Sequence, residues 1–272
     1  MRKHICTCGW FSYMIPTLKK ILFEFMNSIK YFLLIVIASL ALVSCKSKFA
    51  DSDAVVPAGE LYDAALKDLE KSEYKKASLG FEKIFFQHPG NSITPKAELM
   101  QAYSLYLAGE YDEVVDVLDI FIKLHPRHED IAYAYYLKAL ANYTQISSVK
   151  LDQSRTRYAR AGLEEVINRF PGSKYAIDAA LKIDLVNDHL AGKEMLIGRY
   201  YLQKRNLVAA IKRFQTVVEQ YDTTSHIPEA LYRLVESSLI LGLVDEAKKY
   251  AAVLRRNYPD SSWDKYSHNL LK

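Results

Sequence analysis

The chain has 272 residues, with 36 Lys and Arg against 32 Asp and Glu, so its formal net charge is +4. Residues 1–44 account for this excess, because they hold five basic residues and one acidic residue and leave 31 of each in residues 45–272. A balanced body gives no argument for nucleic-acid binding, and none is expected. The three cysteines are Cys6, Cys8 and Cys45, which excludes disulfide chemistry in the rest of the chain.

The first predicted element is a signal peptide over residues 1–44. Its core, Tyr31 to Val43, is an apolar run too short to span a bilayer and of the length typical of a signal sequence. The run ends in Leu42-Val43-Ser44-Cys45, which resembles the lipobox of bacterial lipoproteins. That resemblance implies cleavage before Cys45, acylation of its thiol and anchoring to a membrane by lipid alone.

An unusually long segment precedes this apolar run. Met26 to Lys30 would form a compact, positively charged start if translation began at Met26, so we expect residues 1–25 to be an upstream extension. Cys6 and Cys8 lie in that extension as a single close pair, which is a weak signal for metal and is expected to have no role.

The predicted lipidated cysteine and a flexible tether cover residues 45–58, because residues 46–57 are rich in Ser, Asp and Ala. From residue 59 onward helical periodicity dominates, and no stretch alternates like a strand for more than a few residues. We therefore expect an all-α body over residues 59–260, followed by a C-terminal tail over residues 261–272.

A repeat is visible when the ends of successive helix pairs are aligned, at Pro89, Pro126, Pro171, Asp222 and Pro259. Twelve residues before each end lies a small or β-branched residue: Ala77, Val114, Ala159, Ala210 and Ala247. Eight before lie Phe81, Leu118, Leu163, Phe214 and Ala251. The pattern resembles the tetratricopeptide repeat, a helical hairpin of 34 residues. It predicts an α-solenoid of about five such hairpins, over 59–90, 95–127, 129–172, 174–223 and 227–260, with irregular third and fourth units.

The chain shows no catalytic motif. A G-x-S-x-G elbow, a Gly-rich phosphate loop and an H-E-x-x-H pair are all missing from the sequence. His125 and His128 are close, but Pro126 interrupts the helix that would present both, so a solvated turn is expected there rather than a metal site. We therefore expect a binding protein without catalytic residues, metal or cofactor.

Two segments are rich in aromatic and basic residues. In the first, Tyr133 and Tyr136 are candidates for a groove that receives substrate, although tyrosines at helical spacing are usually core residues. In the second, Arg199, Tyr200 and Tyr201 are adjacent and cannot all face inward on one helix, so at least one meets solvent or a partner.

These segments also carry a family resemblance over about residues 45–260. The matching stretches are Phe121 to His128 running into Tyr133 and Tyr136, Asp152 to Arg155, Arg169-Phe-Pro-Gly-Ser-Lys-Tyr175, Arg199 to Arg205 and Val208 to Arg213. The chain resembles the BamD (YfiO/ComL) family of outer membrane protein assembly lipoproteins.

The resemblance implies a non-enzymatic scaffold, lipid-anchored at the periplasmic face of the outer membrane of a Gram-negative bacterium. In that family the C-terminal repeats hold the POTRA region of the barrel protein BamA, and the N-terminal repeats are expected to receive unfolded outer membrane proteins. Tyr200, Tyr201 and Arg213 match the BamA-facing positions, and Arg199 is included with them as a partner-binding candidate. Cys45 matches the acylated cysteine, and Lys46 after it favours the outer membrane.

Other lipidated repeat proteins remain alternatives. A pilotin that carries secretin subunits is the main one, and a Tol-associated coordinator is another, although the chain lacks a coiled-coil segment. An enzyme is the least favoured class because no site is visible. Co-purified partners distinguish these classes.

Overall fold

The computed structural model describes residues 55–272, so the expectations for the signal peptide, for Cys6 and Cys8, for Cys45 and for most of the tether lie outside the described residues. Within that range the chain forms eleven helices and no strand. They are α1 (Ala58–Glu70), α2 (Tyr74–Gln87), α3 (Thr94–Ala108), α4 (Tyr111–Leu124), α5 (Ile131–Thr144), α6 (Ser154–Arg169), α7 (Lys174–Gln203), α8 (Leu207–Gln220), α9 (Ile227–Ile240), α10 (Val244–Asn257) and α11 (Ser262–Leu270).

Ten of these helices pair into five consecutive hairpins, α1–α2 to α9–α10, so the predicted all-α solenoid of five units is confirmed. The fourth unit is irregular because its first helix, α7, has 30 residues. None of the described helices, α7 included, has an apolar stretch long enough to cross a bilayer. The segment 261–272, predicted only as a tail, contains α11, whose Trp263 ring lies 5.2 Å from that of Tyr232 on α9.

The aligned repeat positions explain how each hairpin closes. The small residue near the start of every second helix is fully buried, and so is the large residue four positions later, except that Ala251 in the last unit keeps slight exposure. A small side chain allows the two helices to approach closely, and the larger one fills the space beside the next helix. The core is therefore a continuous column built from one layer per unit.

The backbone conformation before and after each second helix recurs from unit to unit. Each helix ends on an aromatic residue with φ between −138° and −125°, which is too extended to continue the helix: His88, His125, Phe170, Tyr221 and Tyr258. Proline follows in four of the five units and favours that extended conformation in the residue before it. The turn inside four hairpins instead passes through a left-handed residue: Ser72, Gly109, Arg205 and Gly242.

The hairpins stack with their first helices inside. Helices α1, α3, α5 and α7 contact one another in succession, whereas no two second helices among residues 55–272 make comparable contact. The first helices therefore line the inner side of the stack and the second helices the outer side. This distinction places the candidate sites described below.

Candidate functional site

The turn between α7 and α8 presents an exposed aromatic and basic surface. We call it the α7–α8 corner and define it by Tyr200, Lys204, Arg205, Val208 and Arg213. Tyr200 is 56% exposed and Val208 is 72% exposed, which is high for large apolar groups on a packed helix pair. The Lys204 ammonium lies 6.0 Å from the centre of the Tyr200 ring, within the range of a cation–π contact.

The three adjacent residues of α7 have different environments. Tyr200 faces solvent, whereas Tyr201 packs against the main core with its ring 5.7 Å from that of Tyr200. Arg199 donates to both carboxylate oxygens of Glu229 on α9, at 3.0 and 2.9 Å. Arg199 and Tyr201 therefore support the fourth and fifth units, and Tyr200 is the member of the three that is free to meet a partner.

Arg213 is half-exposed and also makes an internal ion pair. Its guanidinium donates to the Glu194 carboxylate at 2.9 Å and so ties α8 to α7. Lys204, Arg205 and Lys212 beside it carry positive charge, and no acidic side chain within residues 55–272 pairs with them. The corner thus combines two exposed apolar groups with an excess of positive charge, which suits an acidic protein surface with an apolar centre.

The first predicted segment forms a row of tyrosines on the inner side of units two to four. The row consists of Tyr103 and Tyr106 on α3, Tyr133 and Tyr136 on α5, and Tyr175 on α7. The Tyr175 ring lies 5.6 Å from Tyr133 and 5.3 Å from Tyr136, at tilted angles. The Tyr136 hydroxyl donates to the Asp178 carboxylate, and burial raises the pKa of both Tyr133 and Tyr136.

Two roles were considered for these tyrosines from the sequence, packing in the core and lining a groove, and the structure is compatible with both. Tyr133 and Tyr136 pack units three and four together, which is the role of core residues. Both side chains nevertheless keep part of their surface exposed. Such a surface tolerates many apolar side chains without demanding one geometry. No described contact joins this row to the α7–α8 corner.

The turn at His125 and His128 is exposed at Pro126 and Arg127, as expected from the sequence, but both histidine rings are half-buried. Both rings pack against Phe121, with centroids 5.1 and 5.4 Å away, and His125 Nε2 lies 3.2 Å from a carboxylate oxygen of buried Glu98. Burial raises the pKa of Glu98 to about 7 and lowers the pKa of His125. Glu98 was not predicted from the sequence, because it lies on the first helix of its unit and belongs to no recognised motif.

No group of three or more His, Cys, Asp or Glu side chains within residues 55–272 is arranged to hold a metal ion. The half-buried histidine and its glutamate neighbour therefore form an isolated pair. The binding residues predicted from the sequence lie on two surfaces of the described body: the α7–α8 corner and the tyrosine row.

A family model and individual relatives of known name point to the same protein family. Residues 55–266 match the family model described as YfiO, an outer membrane lipoprotein. The outer membrane protein assembly factor BamD of Rickettsia prowazekii (strain Madrid E) is 58% identical over 238 residues, which cover 88% of this chain and 95% of that protein. BamD of Caulobacter vibrioides is 43% identical over 79% of this chain and 70% of that protein. Among solved structures, a thermophilic TPR protein of Thermus thermophilus aligns over 79% of this chain and 100% of its own, with 18% identity and a TM-score of 0.37.

Proposed function

Because the chain belongs to the YfiO family of outer membrane lipoproteins, whose relatives are named outer membrane protein assembly factors, we propose that it is a non-enzymatic scaffold of the β-barrel assembly machinery. One surface holds the POTRA region of a BamA-type barrel protein, and a second receives unfolded outer membrane protein segments. A stack of packed hairpins keeps the two surfaces at a fixed separation, so one end docks while the other captures.

The observation that carries this proposal is that the Tyr200 side chain is exposed to solvent and is surrounded by basic residues. An aromatic ring of this exposure contributes large contact area at little loss of conformational freedom, and such residues are common anchors of protein interfaces. The unpaired positive charges at Lys204, Arg205 and Lys212 would steer an acidic partner to it. The tyrosine row supports the second activity because its partly buried rings offer tolerant contacts to extended chains.

The lipid anchor is part of the same proposal. Acylation of Cys45 would hold the repeat body at the periplasmic face of the outer membrane, since two or three acyl chains bind a bilayer at about 0.8 kcal/mol per buried methylene. Replacement Cys45→Ser should remove the protein from the outer membrane fraction, because both acylation and cleavage of the signal segment depend on the lipobox cysteine. A Cys45→Ser protein that stays with the outer membrane through detergent-free washing would contradict the anchor.

The proposal is tested by capture from native membranes through a C-terminal tag in mild detergent, with partners identified by mass spectrometry. A POTRA-containing barrel protein among the partners supports it. A secretin or a Tol component without such a barrel would replace this function by that of a pilotin or a coordinator.

Matched variants locate the docking surface. Tyr200→Ala should reduce capture of the barrel at least tenfold, whereas Tyr158→Ala should not, because Tyr158 on α6 is similarly exposed at 61% but lies outside the corner. Arg213→Glu should also weaken capture, and this variant needs a control for the lost internal pair. In the double variant Arg213→Glu with Glu194→Arg the internal ion pair is restored with reversed sign, so restored capture would mean that Arg213 acts only on the fold.

A further inference from the structure

A narrow groove opens on the outer side of the stack between units one and two. It has a volume of about 110 Å³ and is lined by Glu82, Phe85, Phe86, Glu98, Gln101, Val117 and Ile120. Phe86 is 71% exposed and Ile120 is 50% exposed, so the rim is apolar and open to solvent. The groove is separate from the α7–α8 corner and shares no residue with the tyrosine row.

The base of this groove contains a buried carboxylate without a hydrogen-bond partner. Glu98 is 4% exposed, and neither of its carboxylate oxygens accepts a hydrogen bond from any residue in the range 55–272. His125 Nε2 lies 3.2 Å from one oxygen but is not aligned to donate to it, and that nitrogen is itself without a partner. Buried charges are normally paired, so a carboxylate in this state is able to accept a cation.

The repeat shows which group pairs with the equivalent glutamate elsewhere in the fold. Glu98 lies thirteen residues before the start of the second helix of its unit. In the other units with a short hairpin turn, this position is occupied by Leu61 in unit one, Glu194 in unit four and Leu231 in unit five. Among these four units, only units two and four have a glutamate at this position. The carboxylate of Glu194 in unit four accepts a hydrogen bond from Arg213 at 2.9 Å.

Unit two has no equivalent cation. The position that corresponds to Arg213, six residues after the start of the second helix, is Val117 in unit two, and Val117 lines the groove. The same fold thus shows one glutamate with an internal cation and another with a groove in the place of that cation. A sequence that breaks its own repeat pattern at a buried position is expected to do so for function.

We propose that this groove binds a lysine side chain of a partner polypeptide, whose ammonium pairs with Glu98 and whose methylenes pack on Phe86, Val117 and Ile120. The lining contains two carboxylates, Glu82 and Glu98, and no basic residue, so its charge complements a cation. A long aliphatic stem with a charged tip matches an apolar wall that ends at a carboxylate.

Lysine fits better than arginine for a geometric reason. A guanidinium binds a carboxylate best through two parallel hydrogen bonds to both oxygens, and one oxygen of Glu98 is already approached by His125. An ammonium is a compact donor that needs a single oxygen and a narrow channel. The groove has a volume of only about 110 Å³, so the smaller head group is favoured.

The test uses the chain from residue 45 onward, labelled with ¹⁵N, and three acetylated pentapeptide amides: Ala-Ala-Lys-Ala-Ala and its analogues with norleucine or arginine in place of lysine. Shifts of the Gln101 side-chain amide and of the Phe86 and Ile120 backbone amides report binding in the groove. The lysine peptide should bind at least tenfold more tightly than the norleucine peptide and more tightly than the arginine peptide.

Two variants separate charge pairing from apolar packing. Glu98→Gln should remove the preference for lysine over norleucine while norleucine binding stays unchanged. Val117→Arg should supply the internal cation found in unit four and abolish lysine-peptide binding without unfolding the protein. Equal binding of the lysine and norleucine peptides, tighter binding of the arginine peptide, no shift at the three reporters, or an unchanged preference in Glu98→Gln would each overturn the proposal.

Discussion

Gly198 on α7 lies against the ring of Phe214 on α8, so closely that a β-carbon at Gly198 would be 2.4 Å from Cε1 of the phenylalanine. Phe214 is fully buried and cannot move aside. This contact brings α7 and α8 together directly beside Arg199 and Tyr200, and it therefore sets the geometry of the α7–α8 corner.

Replacement Gly198→Ala should destabilise the protein by about 1–2 kcal/mol. A contact of 2.4 Å with a buried ring places the overpacking cost in the upper part of its range of about 1–3 kcal/mol, and the gain in helix propensity offsets about 1 kcal/mol of it. Urea unfolding followed by circular dichroism measures the change. Gly59→Ala is the matched control, since a β-carbon at Gly59 meets no atom within 4 Å. Equal stability of the two variants would mean that α7 and α8 separate easily.

The left-handed residues of the hairpin turns give a second prediction. Ser72 and Arg205 adopt φ of 62° and 59°, where a residue with a β-carbon is strained by about 1 kcal/mol. Both Ser72→Gly and Arg205→Gly should therefore raise the midpoint of thermal unfolding. Arg205→Gly should in addition weaken capture of the barrel protein, because Arg205 belongs to the α7–α8 corner, whereas Ser72→Gly should leave capture unchanged. A stabilised Arg205→Gly protein with full capture would remove Arg205 from the docking surface.

The buried carboxylate of unit two predicts a pH-dependent stability. Burial raises the pKa of Glu98 from 4.5 to about 7, so the folded protein binds a proton more tightly than the unfolded chain does. The free energy of unfolding should consequently fall as pH rises from about 4.5 through 7, by about 3 kcal/mol at most. Glu98→Gln should lack this loss and be the more stable protein at pH 8.

Comparison of the two proteins isolates Glu98, because both retain His125, whose pKa is lowered and whose contribution has the opposite sign. Denaturant unfolding at pH 5, 6, 7 and 8 gives the two profiles. Parallel profiles would show that Glu98 titrates as an exposed carboxyl does.

The tyrosine row predicts unequal effects of two identical substitutions. Tyr136→Phe removes the hydroxyl that donates to Asp178 and should cost about 1 kcal/mol, because a hydrogen bond to a charged group is lost while Lys182 still pairs with Asp178. Tyr133→Phe should be close to neutral, since its hydroxyl donates to no side chain or backbone group among residues 55–272. Urea midpoints of the two variants test the difference, and a larger loss for Tyr133→Phe would contradict the described hydrogen bonding.

Much of the fold could be predicted from local spacing. The distance from each helix end to Ala77, Phe81 and their equivalents is fixed by helical geometry, so the buried positions follow from the sequence. The helix over residues 262–270 was not predicted, although its N-cap is local: the Ser261 hydroxyl accepts a hydrogen bond from the Asp264 backbone N–H. What spacing does not give is its docking, which brings Trp263 against Tyr232 of a distant segment. The left-handed turns at Ser72 and Arg205 carry no glycine and left no local signal.

The candidate sites were predicted less completely, for a physical reason. That one of Arg199, Tyr200 and Tyr201 must face outward follows from helical geometry, but which one depends on Glu229, thirty residues away from Arg199. Glu98 could have been found from the repeat alignment, since leucine holds the equivalent position in units one and five. Its burial, however, needs three helices and cannot be derived from spacing alone.

The most direct measurement is site-specific photocross-linking in living cells. A photoreactive phenylalanine analogue replaces Tyr200, which keeps an aromatic ring at the α7–α8 corner, and the same analogue at Tyr158 serves as the control for exposure. We predict a cross-link from position 200 to the POTRA region of a BamA-type barrel protein and none from position 158. A cross-link to that barrel from position 158 alone, or to a secretin from position 200, would contradict the account.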